Sequence, residues 1–251
     1  MTPKIFALPA MAAALAVSGC TSSGSGLPPS PLSYSAVGLN AGGTAVGNGA
    51  FSANPSTITV AVDGRNYTVG NGAATPGLPG GLTGYTYSSG GNTAAYVGGS
   101  HAATALTSPA GSNAVYAIVD GRETTGSQMQ NLPMQAANYD GVWGISSSSG
   151  QQAAGTFQAG ANFDSRTVGF ELYDQSGLVG GGNGRIIGTG FTSTLDTRDA
   201  VDQGPNNVRL NSNNTIDGQF YGPRADEMAG LVRGNTTDGN GATAGYLIGT
   251  Q

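Results

Sequence analysis

From residue 32 onward the chain shows no apolar residues at helical spacing over a useful length. They fall instead into short alternating runs cut by clusters of Gly, Asn, Asp and Ser. That pattern restricts the fold to an all-β architecture. The 44 glycines and 12 prolines among 251 residues stay below the roughly 25–30% Pro plus Gly at which disorder becomes the default. With 38% hydrophobic residues, the chain is long enough for one large β domain or two smaller ones.

The runs fall into two regions. In the first, residues 32–134, the clearest signal is a hairpin: Thr57–Val62, the turn pair Asp63-Gly64, then Arg65–Val69. Asp-Gly supplies the positive φ angles of a tight primed turn. The run Ala114–Val119 meets Asp120-Gly121-Arg122, which predicts the same turn chemistry. The Gly/Ser/Ala stretches 38–50 and 70–83 carry small side chains that hold a register weakly, so this region is expected to be an open, loose set of strands. From Asn138 the pattern is denser. Tyr139, Gly141, Trp143 and Ile145 share one strand face, Phe157, Ala159, Ala161 and Phe163 the next, and Val168, Phe170 and Leu172 a third. Further runs are Arg185–Ser193, Val208–Asn211, Thr215–Tyr221, Glu227–Gly234 and Ala244–Gly249. Eight candidate strands over 135–251 predict an antiparallel up-and-down β-barrel, closed by the last strand on the first. Trp143 is assigned to its core.

The N-terminus has a different character. Lys4 is followed by the apolar segment Ile5–Val17, as long as the apolar part of an export signal and too short to span a bilayer. Val17-Ser18-Gly19-Cys20 then resembles the bacterial lipobox. Residues 1–19 are therefore expected to be removed by signal peptidase II of the lipoprotein export machinery, with Cys20 carrying the acyl chains that bind the membrane. Cys20 is the only cysteine, so no internal disulfide is available. Thr21 after the cysteine points to the outer membrane, its surface or periplasmic side. Residues 20–31 are rich in Ser, Gly and Pro and read as a flexible tether.

After cleavage, eight arginines face fourteen Asp and Glu, a net charge of −6. The arginines are scattered singly, which excludes nucleic acid as a partner. Catalytic chemistry is also poorly supplied. His101 is the only histidine, so Ser-His-Asp, Cys-His and His/Cys metal constellations have no source of residues. Asp226 and Glu227 adjoin, and strand alternation sends neighbours to opposite faces, so Glu227 is expected to bond barrel backbone as a structural carboxylate. Gly180–Gly184 lacks the Lys-Ser/Thr ending of a phosphate loop and reads as a hairpin connection. No cofactor is expected. His101, within Gly98–Ala103, is kept as an exploratory haem ligand, although 98–104 supplies no apolar wall for haem.

The segment Gly218-Gln-Phe-Tyr-Gly-Pro-Arg-Ala-Asp-Glu-Met-Ala-Gly230 resembles the signature of the β-barrel domain of transferrin-binding protein B and related surface lipoproteins. The matching positions are Gly218, Phe220, Tyr221, Gly222, Pro223, Ala225, Glu227 and Gly230. Leu132-Pro133 ahead of Tyr139-Asp-Gly141, and Ala161-Asn-Phe163, are similar to other parts of the family's barrel. The resemblance implies a non-catalytic, lipid-anchored extracytoplasmic binding protein with one variable "handle" over 32–134 and one barrel. Its ligand would be a host or environmental macromolecule, or an iron or haem source. The alternative is a structural envelope lipoprotein or adhesin without a defined small ligand.

Overall fold

A computed structural model of the protein describes residues 32–251 except 41–42, 63, 112–113, 202–208 and 240. The expected signal, Cys20, the tether, Asp63 and Val208 lie outside the described residues. The N-terminal region contributes strands β1 (Ala36–Asn40), β2 (Gly43–Gly47), β3 (Gly49–Ala53), β4 (Ile58–Val62), β5 (Arg65–Val69) and β6 (Ala73–Thr75). After a 3-10 turn at Pro79–Gly81 come β7 (Thr83–Ser89), β8 (Asn92–Gly98), β9 (Ala102–Ser108) and β10 (Val115–Gly121). They form a seven-stranded sheet in the order β2-β1-β10-β9-β8-β7-β6 and a three-stranded sheet β3-β4-β5.

The expected hairpin is present: β4 and β5 pair from Ile58↔Val69 to Val62↔Arg65, with Gly64 at φ +70°. The region is not loose, however. Alternation on β4 buries Ile58, Val60 and Val62 against Ala36, Tyr87, Ala94, Ala105 and Ile118 of the larger sheet. The small sheet thus covers one face of the large one. Two details of the sequence reading are corrected. Asp120-Gly121 is no turn but the end of β10, paired with Ala103 and Ala102. The described residues of 38–50 have a fixed register, because β1 is buried on both faces at Ala36, Val37 and Leu39 while it pairs with β10 and β2.

A short helix, α1 (Gly126–Gln130), follows; Thr125 and Gln128 cap it reciprocally. Then come β11 (Ala136–Ser147), β12 (Gln152–Asn162), β13 (Thr167–Asp174), β14 (Gly177–Ile187), β15 (Gly190–Val201), β16 (Arg209–Tyr221), β17 (Glu227–Thr236) and β18 (Ala242–Thr250). These eight strands close as an antiparallel up-and-down barrel, β18 pairing with β11 from Asp140↔Thr250 to Ser147↔Thr243.

The barrel is filled by side chains. A chain of ring contacts runs from Phe157 through Phe170, Phe191 and Phe220 to Tyr139, with centroids 5.4–6.1 Å apart. Trp143 is fully buried in the same core, its indole N–H donating to the Tyr173 carbonyl at 3.2 Å. Met129 of α1, with Leu132 and Met134, packs onto this core. β12 alternates buried Ala153, Phe157, Ala159 and Ala161 with exposed Gln152, Thr156, Gln158, Gly160 and Asn162. Apolar inside and polar outside is the reverse of a transmembrane barrel.

The connection expected at Gly180–Gly184 is instead the middle of β14. Gly180, Gly182 and Gly184 face inward, opposite Leu172, Phe170 and Val168. A Cβ at any of them would enter the backbone of β15, at Asp196, Thr194 and Thr192 respectively. Their absence of side chain lets β15 cross close beneath and sharpens the coil of the barrel.

Candidate functional site at the joint of handle and barrel

The outer face of β17, β18 and β11 is not solvated. Val142, Tyr221, Ala229, Leu231, Ala244, Tyr246 and Ile248 form one apolar cluster with residues of the seven-stranded sheet, including Val37, Leu39, Val97, Ala117 and Val119. The large sheet is therefore buried on both faces, small sheet on one side and barrel wall on the other. Handle and barrel share a core.

The signature residues build this joint. Phe220 points into the barrel, where it meets Tyr139, Phe163 and Phe191. Gly218 faces the Phe191 ring, which a Cβ would overlap, and Gly230 lies within 3.0 Å of Asp217 backbone and the Ile216 side chain by the same measure. Tyr221, the next residue along β16, turns outward and is buried against the handle. Burial pushes its phenol far above the ordinary tyrosine range. Gly222, at φ +82°, turns the chain; Pro223 and Arg224 are exposed. Ala225 takes φ +56°, a conformation held by tertiary bonds: its carbonyl accepts from the Tyr139 hydroxyl at 2.7 Å and from Gln251 Nε2 at 2.8 Å.

Glu227 is the centre of the joint. It is buried, and its Oε1 accepts from Ser100 N at 2.6 Å while Oε2 accepts from His101 N at 3.0 Å and Ala102 N at 2.7 Å. The expected structural carboxylate is present, but it bonds the handle's loop between β8 and β9, not barrel backbone. Gly99 completes the fit, since a Cβ there would lie 2.5–2.6 Å from the carboxylate. Asp226 does not point away from this loop. It precedes β17, so strand alternation does not apply, and its Oδ2 faces His101 Nε2 at 3.8 Å.

Around the same corner, Arg122 N donates to His101 O at 2.7 Å, Gly222 N to Arg122 O at 2.9 Å, and Thr124 Oγ1 to Gly222 O at 2.6 Å. His101 is three-quarters buried and borders a cleft of about 300 Å3. The apolar wall missing from 98–104 comes from Phe51, Ala53 and Tyr96. This was not legible along the chain, because Phe51 and Ala53 belong to β3, some fifty residues away. Ring contacts continue outward from the cleft: Phe51 to Tyr96 at 5.9 Å, Tyr96 to Tyr85 at 6.4 Å and Tyr85 to Tyr87 at 6.3 Å. Among the described residues, no group of three or more His, Cys, Asp and Glu is arranged to hold a metal ion.

A further anchor ties the chain's entry to the barrel. Tyr34 donates to Asp217 Oδ2 at 2.7 Å, Arg233 Nε donates to the Tyr34 hydroxyl at 3.2 Å, and Arg233 Nη2 lies 3.3 Å from Asp217 Oδ2. Thr192 donates to the other Asp217 oxygen at 2.8 Å. Burial, reinforced by Asp217, pushes the Tyr34 phenol up to about 12.

Residues 90–247, well over half of the chain, match the family model described as the C-lobe and N-lobe beta barrels of Tf-binding protein B. No curated protein sequence matches. Among solved structures, the fold is similar to isotype 1 transferrin binding protein B from serogroup B Neisseria meningitidis, at 16% identity and a TM-score of 0.59, covering 86% of this chain and 43% of that one. It is also similar to the Trp-176-Ala mutant of transferrin binding protein B from Haemophilus parasuis Hp5, at 16% identity and a TM-score of 0.56, covering 86% and 44%. The chain spans less than half the length of these structures. The matched segment takes in β8 to β10 of the handle as well as most of the barrel, the two parts that Glu227 joins, and the chain belongs to the family of transferrin-binding protein B lobe barrels.

Proposed function

We propose that the protein is a lipid-anchored, extracytoplasmic binding protein that captures an iron-carrying macromolecule and performs no chemistry of its own. Family membership supports the binding role. The observation that carries the reading further is the presentation of aromatic rings by the handle. Phe51, Tyr67, Tyr85, Tyr96 and Tyr116 pack on the sandwich core yet remain partly exposed. Half-exposed tyrosines on a rigid frame are the typical anchors of protein interfaces, offering large contact area at low conformational cost. The joint at Glu227 supplies the rigidity. In this reading the handle over 32–134 and the barrel over 135–251 bind as one unit, held to the outer membrane through Cys20 and the tether.

The test is capture of immobilised transferrin, the ligand named for the similar proteins, with haemoglobin and lactoferrin beside it as the ligands named for other solved proteins. One of them should bind. Tyr85→Ala with Tyr96→Ala should then weaken capture at least about tenfold, since interface anchors contribute about 2 kcal/mol or more. Capture of none of the three, or full capture by the double variant, rejects the reading. Anchoring has its own test: Cys20→Ser should abolish acylation and leave the protein unprocessed or soluble. A Cys20→Ser protein that is still processed and still sediments with membranes would refute the lipid anchor.

A further inference from the structure

The barrel wall away from the signature turn carries a different kind of concavity. On the outward face of β11 to β14 the registers lay down two transverse rows. Asn138↔Gly160, Gly160↔Gly169 and Gly169↔Asn183 make the row Asn-Gly-Gly-Asn; Asp140↔Gln158, Gln158↔Glu171 and Glu171↔Gly181 make the row Asp-Gln-Glu-Gly. Two glycines side by side leave a floor of bare backbone, and the neighbouring side chains rise around it to form a trough of about 680 Å3. The amides lean in from both ends: Asn138 Oδ1 lies 3.7 Å from where a Cβ of Gly160 would stand, and Asn183 Oδ1 3.3 Å from that of Gly169. Gly160 and Gly169 therefore do more than permit strand coiling. A side chain at either would fill the trough.

The side chains around it are free to bind. Among the described residues, Asn138, Asp140, Gln158 and Asn183 make no side-chain hydrogen bond within the protein. Glu171 is oriented by Tyr173, whose hydroxyl donates to Oε2 at 2.6 Å. The Tyr173 ring stands at the next position along β13, opposite Leu178, which is 64% exposed.

We propose that this trough binds a neutral carbohydrate. Amides both donate and accept, carboxylates accept through two oxygens, and a sugar diol needs donors and acceptors at close spacing. The flat floor at Gly160 and Gly169 admits a sugar ring face-on, with the amides and carboxylates of the two rows around it. Other ligand classes fit worse. Asp140 and Glu171 sit two strands apart, about 10 Å, too far to share a cation that needs oxygens at about 2.4 Å. An anionic ligand would meet two carboxylates and no arginine or lysine among the lining residues. A protein partner would find no apolar anchor among the outward side chains of the trough itself, since Tyr173 and Leu178 stand one row beyond them. The proposal does not rest on the iron-carrier reading, which concerns the handle.

The experiment is a glycan array of neutral and sialylated oligosaccharides probed with the detergent-solubilised full chain, followed by calorimetric titration with the best neutral oligosaccharide. Binding confined to neutral glycans is expected. Asn183→Ala and Gln158→Ala should each weaken it about tenfold, the effect of losing one hydrogen bond to a hydroxyl. Gly169→Val should abolish it, with capture of the iron carrier and the unfolding midpoint of the two exposed-residue variants unchanged. No neutral glycan bound, binding of sialylated glycans only, or wild-type affinity in Asn183→Ala and Gln158→Ala would each overturn the proposal.

Discussion

At the residue scale, the molecule depends on a carboxylate whose partners lie more than a hundred positions away. Glu227 accepts three backbone N–H groups from Ser100, His101 and Ala102 and is itself buried. Hydrogen bonds to an ionised group are the strong ones, and removing the acceptor leaves three donors with nothing to bond. Glu227→Ala should therefore cost about 3 kcal/mol or more, since each buried N–H left without an acceptor costs about 1–3 kcal/mol. Urea unfolding measures this as a lower midpoint, and limited proteolysis should show new cutting between 98 and 103. An unchanged midpoint would mean that the loop is held by other contacts. The sequence pointed to Glu227 as a buried structural carboxylate, because strand alternation makes it and Asp226 a poor catalytic pair. It assigned the wrong partner. Nothing local to Gly99–Ala102 distinguishes it from any Gly/Ser loop; only the docking of the handle shows that these amides converge on a carboxylate.

At the element scale, the barrel count came out right through two compensating misreadings. The run Arg185–Ser193 is two strands, β14 and β15, separated by Gly188 at φ +60° and Thr189. Arg209–Asn211 of one expected run and the whole of Thr215–Tyr221 are one strand, β16, because the polar stretch Ser212–Asn214 continues the ladder. Polar residues there broke the apolar pattern, yet Asn214 and Ser212 point inward and satisfy each other: Asn214 Nδ2 donates to Leu195 O and Ser212 Oγ, both at 2.7 Å, and Thr243 donates to Asn214 Oδ1 at 2.6 Å. Alternating hydrophobicity cannot reveal such a buried polar network. The aromatic run through the interior was legible, and it sets the element-scale prediction. Phe220 touches three other rings, so Phe220→Ala should lose about 3–5 kcal/mol, read as a lower urea midpoint at unchanged slope. A midpoint equal to that of the native protein would remove Phe220 from the core.

At the scale of the whole molecule, handle and barrel are joined by apolar surface studded with buried phenols, and this makes stability depend on alkaline pH. Burial raises Tyr34 and Tyr246 to about 12, and raises Tyr139 and Tyr221 further. In the unfolded chain all would ionise near pH 10. A folded value above the unfolded one means that the contribution is complete below about pH 10. It is lost as pH climbs through the folded values, because the unfolded state releases protons that the folded state retains. Stability should be flat from neutral pH to about 10 and then fall. A spectrophotometric titration should show the exposed tyrosines ionising first and the buried ones only on unfolding. Tyr34→Phe should remove one late phenol and loosen the chain's entry from Asp217 and Arg233. Ionisation of all ten tyrosines in a single step near pH 10 with the fold intact would contradict this packing.

Alternation of apolar residues and glycine at turn positions were sufficient to specify an all-β chain whose C-terminal half is a run of antiparallel strands. These are local properties, set by side-chain period and backbone sterics within a few residues. The conversion of a seemingly loose N-terminal region into a sandwich buried on two faces depends on contacts between strands far apart in sequence. So do the latch at Glu227, the aromatic wall beside His101 and the glycine-floored trough. Each joins side chains or bare backbone from elements far apart in sequence, and their proximity follows from register and closure, which no single segment encodes.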